Sequence, residues 1–266
     1  MSVLKEKRDS SLANALSILK GFTVDHPEQG VTDVAKHLGL SKSTVHRLLA
    51  SMASEGFVYK NPRSNRYSLG TSVLTLTNLV SSQLPILTES VPVLNMLTER
   101  TGETSHLGIL EDQHMIYLQK VECDNPTSLF THIGKRHPIH ATSIGQAILA
   151  FQELEERHQL LPEKLESFTS NTITSHESLY EKLNSIKAEK YAVCDQEFQE
   201  HVMAIAAPIF NEKGQVLAAI NMVGPANRMK SKLNSHRLVE EVVRSGEKMT
   251  ELVRLRKRKE NNRFKS

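Results

Sequence analysis

Six polar or cationic residues crowd one short stretch of this sequence: Ser41, Lys42, Ser43, Thr44, His46 and Arg47. Short hydroxyls and cations at that density suit hydrogen bonds to phosphate oxygens and base edges, the two kinds of contact by which proteins hold duplex DNA. Ser41 is a helix N-cap by type, and the amide end of the helix it opens adds attraction for phosphate. Two further cations, Arg63 and Arg66, flank a polar turn and could reach a phosphate backbone or a minor groove. Any one of these charges reads more readily as solvated surface. The ordered set points to DNA.

Other constellations carry less. His132, His137 and His140 invite a zinc reading, but zinc needs three or four ligands converging on one point, and this spacing straddles Pro138 and a loop. Cys194-Asp195 with His201 suggests a thiol nucleophile, yet neither an oriented base nor an oxyanion site is visible. No glycine-rich phosphate loop, H-E-x-x-H or G-x-S-x-G occurs. The sequence therefore reads as a non-enzyme without cofactor or metal; a ligand-binding protein or enzyme with a non-functional DNA-binding head is the rival.

The cations need elements to hold them. Leu12, Ala15, Leu16 and Leu19 recur at helical spacing after a possible cap, Ser10. A second helix follows, capped by Thr32, with Val34, Ala35 and Leu38 inward and Gly39 as its stop. The third begins at Ser41 and turns Val45, Leu48, Leu49 and Met52 to the core. Helix, short glycine turn, helix is the helix-turn-helix pattern. Phe57–Lys60 and Arg66–Leu69 then form a hairpin around Asn61–Asn65, the wing of a winged helix.

The charge distribution agrees. Of 266 residues, 1–70 carry 10 Lys/Arg against 6 Asp/Glu, 254–266 carry 7 against 1, and 71–253 carry 16 against 23. Basic ends and an acidic middle suit a polyanion-binding head on a body that does not touch DNA. No apolar run approaches the roughly 20 residues needed to span a bilayer, and no signal-peptide apolar segment follows the charged N-terminus. Two cysteines suit a reducing cytoplasm.

In its motifs the chain resembles the isocitrate lyase regulator (IclR) family of bacterial transcription factors over nearly its whole length. Leu40–Leu49 is similar to the family's recognition helix and Arg66–Gly70 to the end of its wing. Thr101–Thr104, Gly134–Arg136, the run His140-Ala141-Thr142-Ser143-Ile144-Gly145-Gln146-Ala147, Tyr191 through Glu197, Ile205–Ile209 and Gly224-Pro225 are family-like. The resemblance implies a cytoplasmic repressor or activator that binds double-stranded operator DNA. It implies a homodimer or dimer of dimers, and a GAF-like C-terminal domain that takes a small-molecule effector, an organic or sugar acid. It also places that effector against the Ile144-Gly145 backbone, with Cys194, Asp195, Ala204, Asn221 and Val223 lining the remainder. The family's pattern has glycine at Lys190, an acidic residue or serine at Cys194, cysteine at Ala204, and in some members serine at Asn221 and Val223. Fewer hydrogen-bonding partners point to a less polar ligand than glyoxylate. Without the resemblance, Ala204 and Val223 read as plain core.

The expected architecture is α+β. Residues 1–70 form the winged helix-turn-helix; 71–84 a linker helix with the apolar stripe Val73, Leu76, Val80 and Leu84; 85–253 the effector domain; 254–266 a basic tail. The stripe fits dimerisation or an intramolecular core helix. After Pro85, a helix to Arg100 is expected, then strands at His106–Leu110, His114–Val121, Leu129–Ile133, Val202–Asn211 and Gln215–Val223. A helix over Thr142–Gln152, another capped by Thr174, and a long one from Ser231 complete an antiparallel sheet flanked by helices. Cations in the tail offset a helix dipole or add a phosphate contact.

Overall fold

A computed structural model of the chain describes residues 10–23, 25–126, 131–233 and 237–263. The chain divides into two compact units, Met1–Leu84 and Pro85–Ser266. Among the described residues, no helix is long and apolar enough to cross a membrane.

The first unit is three helices and a hairpin. α1 (Ser11–Gly21) starts where Ser10 Oγ accepts from the Ala13 N–H at 3.1 Å. Of the expected stripe, Ala15 and Leu19 pack inward, but Ile18 takes the central place and Leu12 and Leu16 do not join it. Leu12 and Leu16 are 69% and 48% exposed, because the helix is rotated to bury Ile18. α2 (Val31–Leu38) opens one residue before Thr32, from Gly30 and without a side-chain cap, and Gly39 closes it in the left-handed region at φ +66°. α3 (Lys42–Ser54) opens as expected, Ser41 Oγ accepting from the Thr44 N–H at 3.2 Å. β1 (Val58–Lys60) and β2 (Tyr67–Leu69) pair antiparallel, and Gln29 adds a bridge to Tyr67. Ile18, Val34, Val45, Leu49, Val58 and Tyr67 share one dry core. α4 (Ser72–Gln83) buries none of its side chains; Leu74, Leu76, Leu79 and Val80 are all about half exposed or more.

The second unit opens on α5 (Pro85–Thr101), with proline at its first position, where the missing N–H leaves no bond unmade. The strands β3 (Thr104–Glu111), β4 (His114–Val121), β5 (Arg136–Pro138), β6 (Ala192–Asp195), β7 (Val202–Phe210) and β8 (Val216–Pro225) form one antiparallel sheet, ordered β5-β4-β3-β8-β7-β6. Its helices are α6 (Ser143–Leu149), α7 (Leu154–Leu160), α8 (His176–Glu189), α9 (Ala226–Leu233) and α10 (Arg237–Arg263).

Strand period sorts the sheet's two faces. Ile205, Ala207, Ile209, Ile220 and Met222 pack with Leu94 and Leu97 of α5 and Val242 and Met249 of α10. Their alternates Ala206 and Ala219 pack with Ile144 and Ile148 of α6 and Leu179 and Leu183 of α8. This is the expected α+β sheet between helices.

Several local expectations give way. Thr131–Ile133 is not strand, and the rest of that expected segment, Leu129 and Phe130, lies outside the described residues; the edge strand is β5 instead. Ser175, not Thr174, caps α8, accepting from the Ser178 N–H at 3.4 Å. α6 ends three residues before Gln152. The long C-terminal helix is two helices, because α9 stops at Leu233 and α10 begins at Arg237.

Candidate functional sites in head and body

On α3 the apolar residues Val45, Leu48, Leu49 and Met52 are buried, which leaves Lys42, Ser43, His46 and Arg47 exposed together on the opposite face. Ser41 Oγ lies 3.0 Å from Ser43 Oγ and 2.8 Å from Thr44 Oγ1, so the helix start is a knot of hydroxyls. Arg63 is exposed at the hairpin tip, where its N–H donates to Asn61 Oδ1 at 2.9 Å and holds the turn. Arg66 is placed differently. Its guanidinium pairs with Asp33 at 3.2 Å and donates to the Glu28 carbonyl at 2.9 Å, tying the hairpin to α2.

The body holds a cavity of about 40 Å³ on the α6 side of the sheet, lined by Tyr117, Thr131, Ser143, Cys194, Glu197 and Phe198 among others. Of the expected effector residues, Cys194, Ala204 and Val223 line it, brought together because Cys194 faces Ala204 and Ala204 faces Val223 across three strands. Asn221 sits behind them. Its Nδ2 donates to Ser143 Oγ at 3.1 Å, and its Oδ1 accepts from His106 Nδ1 at 3.0 Å. With Nδ1 carrying the proton, His106 Nε2 is left to accept from the Thr131 hydroxyl at 3.1 Å.

Ile144, Gly145 and Asp195 are not among the lining residues, although Thr142 and Ser143, just before the Ile144-Gly145 backbone, are. The Ile144 side chain is core, packed so closely on β3 that a methyl on Gly108 would sit 3.1 Å from it. Gly145 is pressed on the chain before it; a Cβ there would lie 2.2 Å from the Ile139 carbonyl oxygen. Asp195, on the other side of β6 from Cys194, pairs with Lys230 at 2.7 Å and lines no part of the cavity.

Burial dominates the electrostatics of this chamber. Burial lowers His106 to about 3 and keeps it neutral. Burial likewise raises Tyr117 and Cys194, the latter pushed further by Glu197, so both keep their protons. That thiol is no ready nucleophile. Glu197 is buried, but its carboxylate is matched by the Lys182 ammonium and accepts from Gln146 Nε2 at 2.7 Å. His140 Nε2 meets the Glu166 carbonyl at 2.9 Å, and the described residues hold no group of three metal-ligating side chains. His106, Tyr117, Thr131, Ser143, Glu197 and Phe198 were not singled out from sequence. Period 2 along β3 and β4 was the available signal, since His106 and Tyr117 share the face that Asn221 occupies on β8.

Two family patterns match the chain: "IclR helix-turn-helix domain" over residues 11–62 and "Bacterial transcriptional regulator IclR C-terminal" over 78–251. The HTH-type transcriptional regulator XynR of Escherichia coli K12 is 33% identical over 213 residues, 80% of this chain and 84% of that protein. A crystal structure of an IclR-type transcriptional regulator from Silicibacter sp. TM1040 is 28% identical with a TM-score of 0.73, covering 92% of this chain and 96% of that one. An IclR homologue from Microbacterium hydrocarbonoxydans, solved with 4-hydroxybenzoate, shares the fold at a TM-score of 0.81 and 24% identity, over 92% and 99% of the two chains. With a helix-turn-helix head, a six-stranded α+β body and both family patterns in order, this chain belongs to the IclR family of bacterial transcriptional regulators.

Proposed function

We propose that this regulator binds operator DNA by laying α3 in the major groove, with Ser41, Lys42, Ser43, Thr44, His46 and Arg47 supplying base and phosphate contacts and Arg63 a wing contact. Arg66 serves by holding the wing in place. The observation that carries this is the split of α3 into a fully apolar face and an exposed face of hydroxyls and cations at a capped N-terminus. Two half-sites need two heads, and the uncovered leucines of α4 support a homodimer, or a dimer of dimers, built through that helix.

The body is a cytoplasmic sensor rather than an enzyme. An organic or sugar acid enters the cavity bordered by Cys194, Ala204 and Val223 and backed by Asn221. It shifts operator affinity only as far as it prefers one arrangement of the heads. The Microbacterium homologue, solved in complex with 4-hydroxybenzoate, supports a small acid as the ligand. A gel shift on the gene's own upstream region, titrated with salt and candidate acids, tests the reading. Selective binding that an acid alters is expected; no selective binding at any salt sinks it.

A further inference from the structure

The last helix runs on past the core it helps to build. α10 packs through Leu238, Val242 and Met249, then through Leu252 and Val253, in one cluster with Ile86 and Leu87 of α5. Beyond Val253 the packing stops. Leu255 is 43% exposed and Lys257 is exposed, yet the backbone stays helical to Arg263, about 15 Å further on. The family pattern for this domain ends at residue 251, so the resemblance does not account for this stretch.

Its composition is one-sided. Residues 254–266 hold 7 Lys/Arg against 1 Asp/Glu, whereas 71–253 hold 16 against 23. Between Arg254 and Arg263 the one apolar residue is Leu255, so the helix has no stripe to lay on a membrane or a partner helix. Dipole compensation does not explain the charge either, because it reaches only the last turn, roughly four residues. Of the cations on α10, Arg263 alone falls there, and Glu260 stands with it.

The base of the stretch is fastened. Arg254 Nε donates to the Asn211 carbonyl at 3.4 Å, Arg256 pairs with Glu89 at 3.3 Å, and Lys257 is also engaged within the chain. Glu89 lies on α5, which begins at Pro85, the first residue of the second unit. The cationic end therefore leaves the body near the joint where the chain from the head enters it. Beyond that base come Arg258, Lys259, Arg263 and Lys265.

Resting on the operator reading above, we propose that Arg258, Lys259, Arg263 and Lys265 form a second DNA-binding element, which takes backbone phosphates of the duplex held by the head. Duplex DNA is the polyanion the head already brings, and it presents one charge per ~1.7 Å of axis, so a short cation cluster finds partners at any register. Phosphate contacts carry no sequence. The element raises affinity for every duplex alike and leaves the choice of operator to α3.

Fluorescence anisotropy from about 50 to 200 mM salt, on the gene's own upstream region and on an unrelated duplex, tests this. Two variants stand against the native chain: one ending at Lys257, and one of full length carrying Arg258→Gln, Lys259→Gln, Arg263→Gln and Lys265→Gln. In both, the slope of log affinity against log salt should become shallower by about 3, and both duplexes should weaken alike, roughly tenfold. Arg258→Lys with Arg263→Lys should keep the native slope, because a phosphate contact of this kind needs only the charge. Unchanged slopes, a loss confined to the upstream region, or a change in subunit assembly by light scattering overturns the proposal; the last would mean that the tail holds a second copy of the chain. Selective operator binding with unchanged slopes sinks this inference alone. A native chain without operator preference sinks the proposed function alone, since the unrelated duplex still reports the tail.

Discussion

The head and the body carry their polar chemistry in opposite places. In the head, Lys42, Ser43, His46, Arg47 and Arg63 stand exposed over a core made of Ile18, Val45, Leu49 and Tyr67, so the residues proposed to meet DNA lie outside what holds the fold. In the body, Asn221 is buried and bonded to both His106 and Ser143, and Glu197 is buried against Gln146, so the groups around the proposed effector cavity also hold the fold. The difference has a physical origin. DNA comes to a surface and brings its own charge, whereas a small ligand has to be surrounded before a few contacts can hold it. Head residues can therefore change at little cost to folding, and body residues cannot.

The comparison can be broken, and the largest effect is expected in the body. Lys182→Met leaves the Glu197 carboxylate buried without its cation, and urea melts should show roughly 3 kcal/mol of lost stability. Next comes acid. Folded His106 stays neutral down to about pH 3, while the unfolded residue protonates near 6.5, so protons favour the unfolded chain. Its contribution is whole above pH 6.5 and lost as pH falls toward 3; at pH 5 the loss is about 2 kcal/mol for His106, read by faster amide exchange along β3 and β8.

In the head, Arg47→Ala should weaken operator binding about tenfold with no change in melting temperature. Arg63→Ala should weaken all duplexes alike and reduce the slope of log affinity against log salt by about 1. A fall in melting temperature for Arg47→Ala matching its loss of binding would collapse the distinction. Smallest is Lys190→Gly. Lys190 ends α8 at φ +63°, a conformation glycine adopts without strain, so the change should stabilise the protein by about 1 kcal/mol in the same urea melts.

How legible each region was follows the same divide. Ser10, Ser41 and Gly39 were readable as helix ends because their partners lie within four residues. Where more than one nearby residue could open a helix, the reading slipped, by two at Gly30 against Thr32 and by one at Ser175 against Thr174. Leu12 and Leu16 misled because a helix shows more than one apolar line and only packing chooses which is buried. In the body, Cys194, Ala204, Asn221 and Val223 were reached through the family resemblance. His106 and Tyr117 were out of reach, since His106 meets Asn221 across 115 positions of chain and only the pairing of β3 with β8 brings them together.

By itself, then, the sequence determined much of what short-range forces decide: most of the helices, the helix ends at Ser10, Gly39 and Ser41, the hairpin of the head, and a cationic helix start exposed beside its own buried face. Tertiary structure alone decided which buried polar groups meet. It joined His106 to Asn221 and Glu197 to Lys182, and turned Arg66 from a free cation into a brace. Hydrogen bonds in a dry interior depend on positions set by strand register and helix packing, and neither is written in the spacing of any single segment.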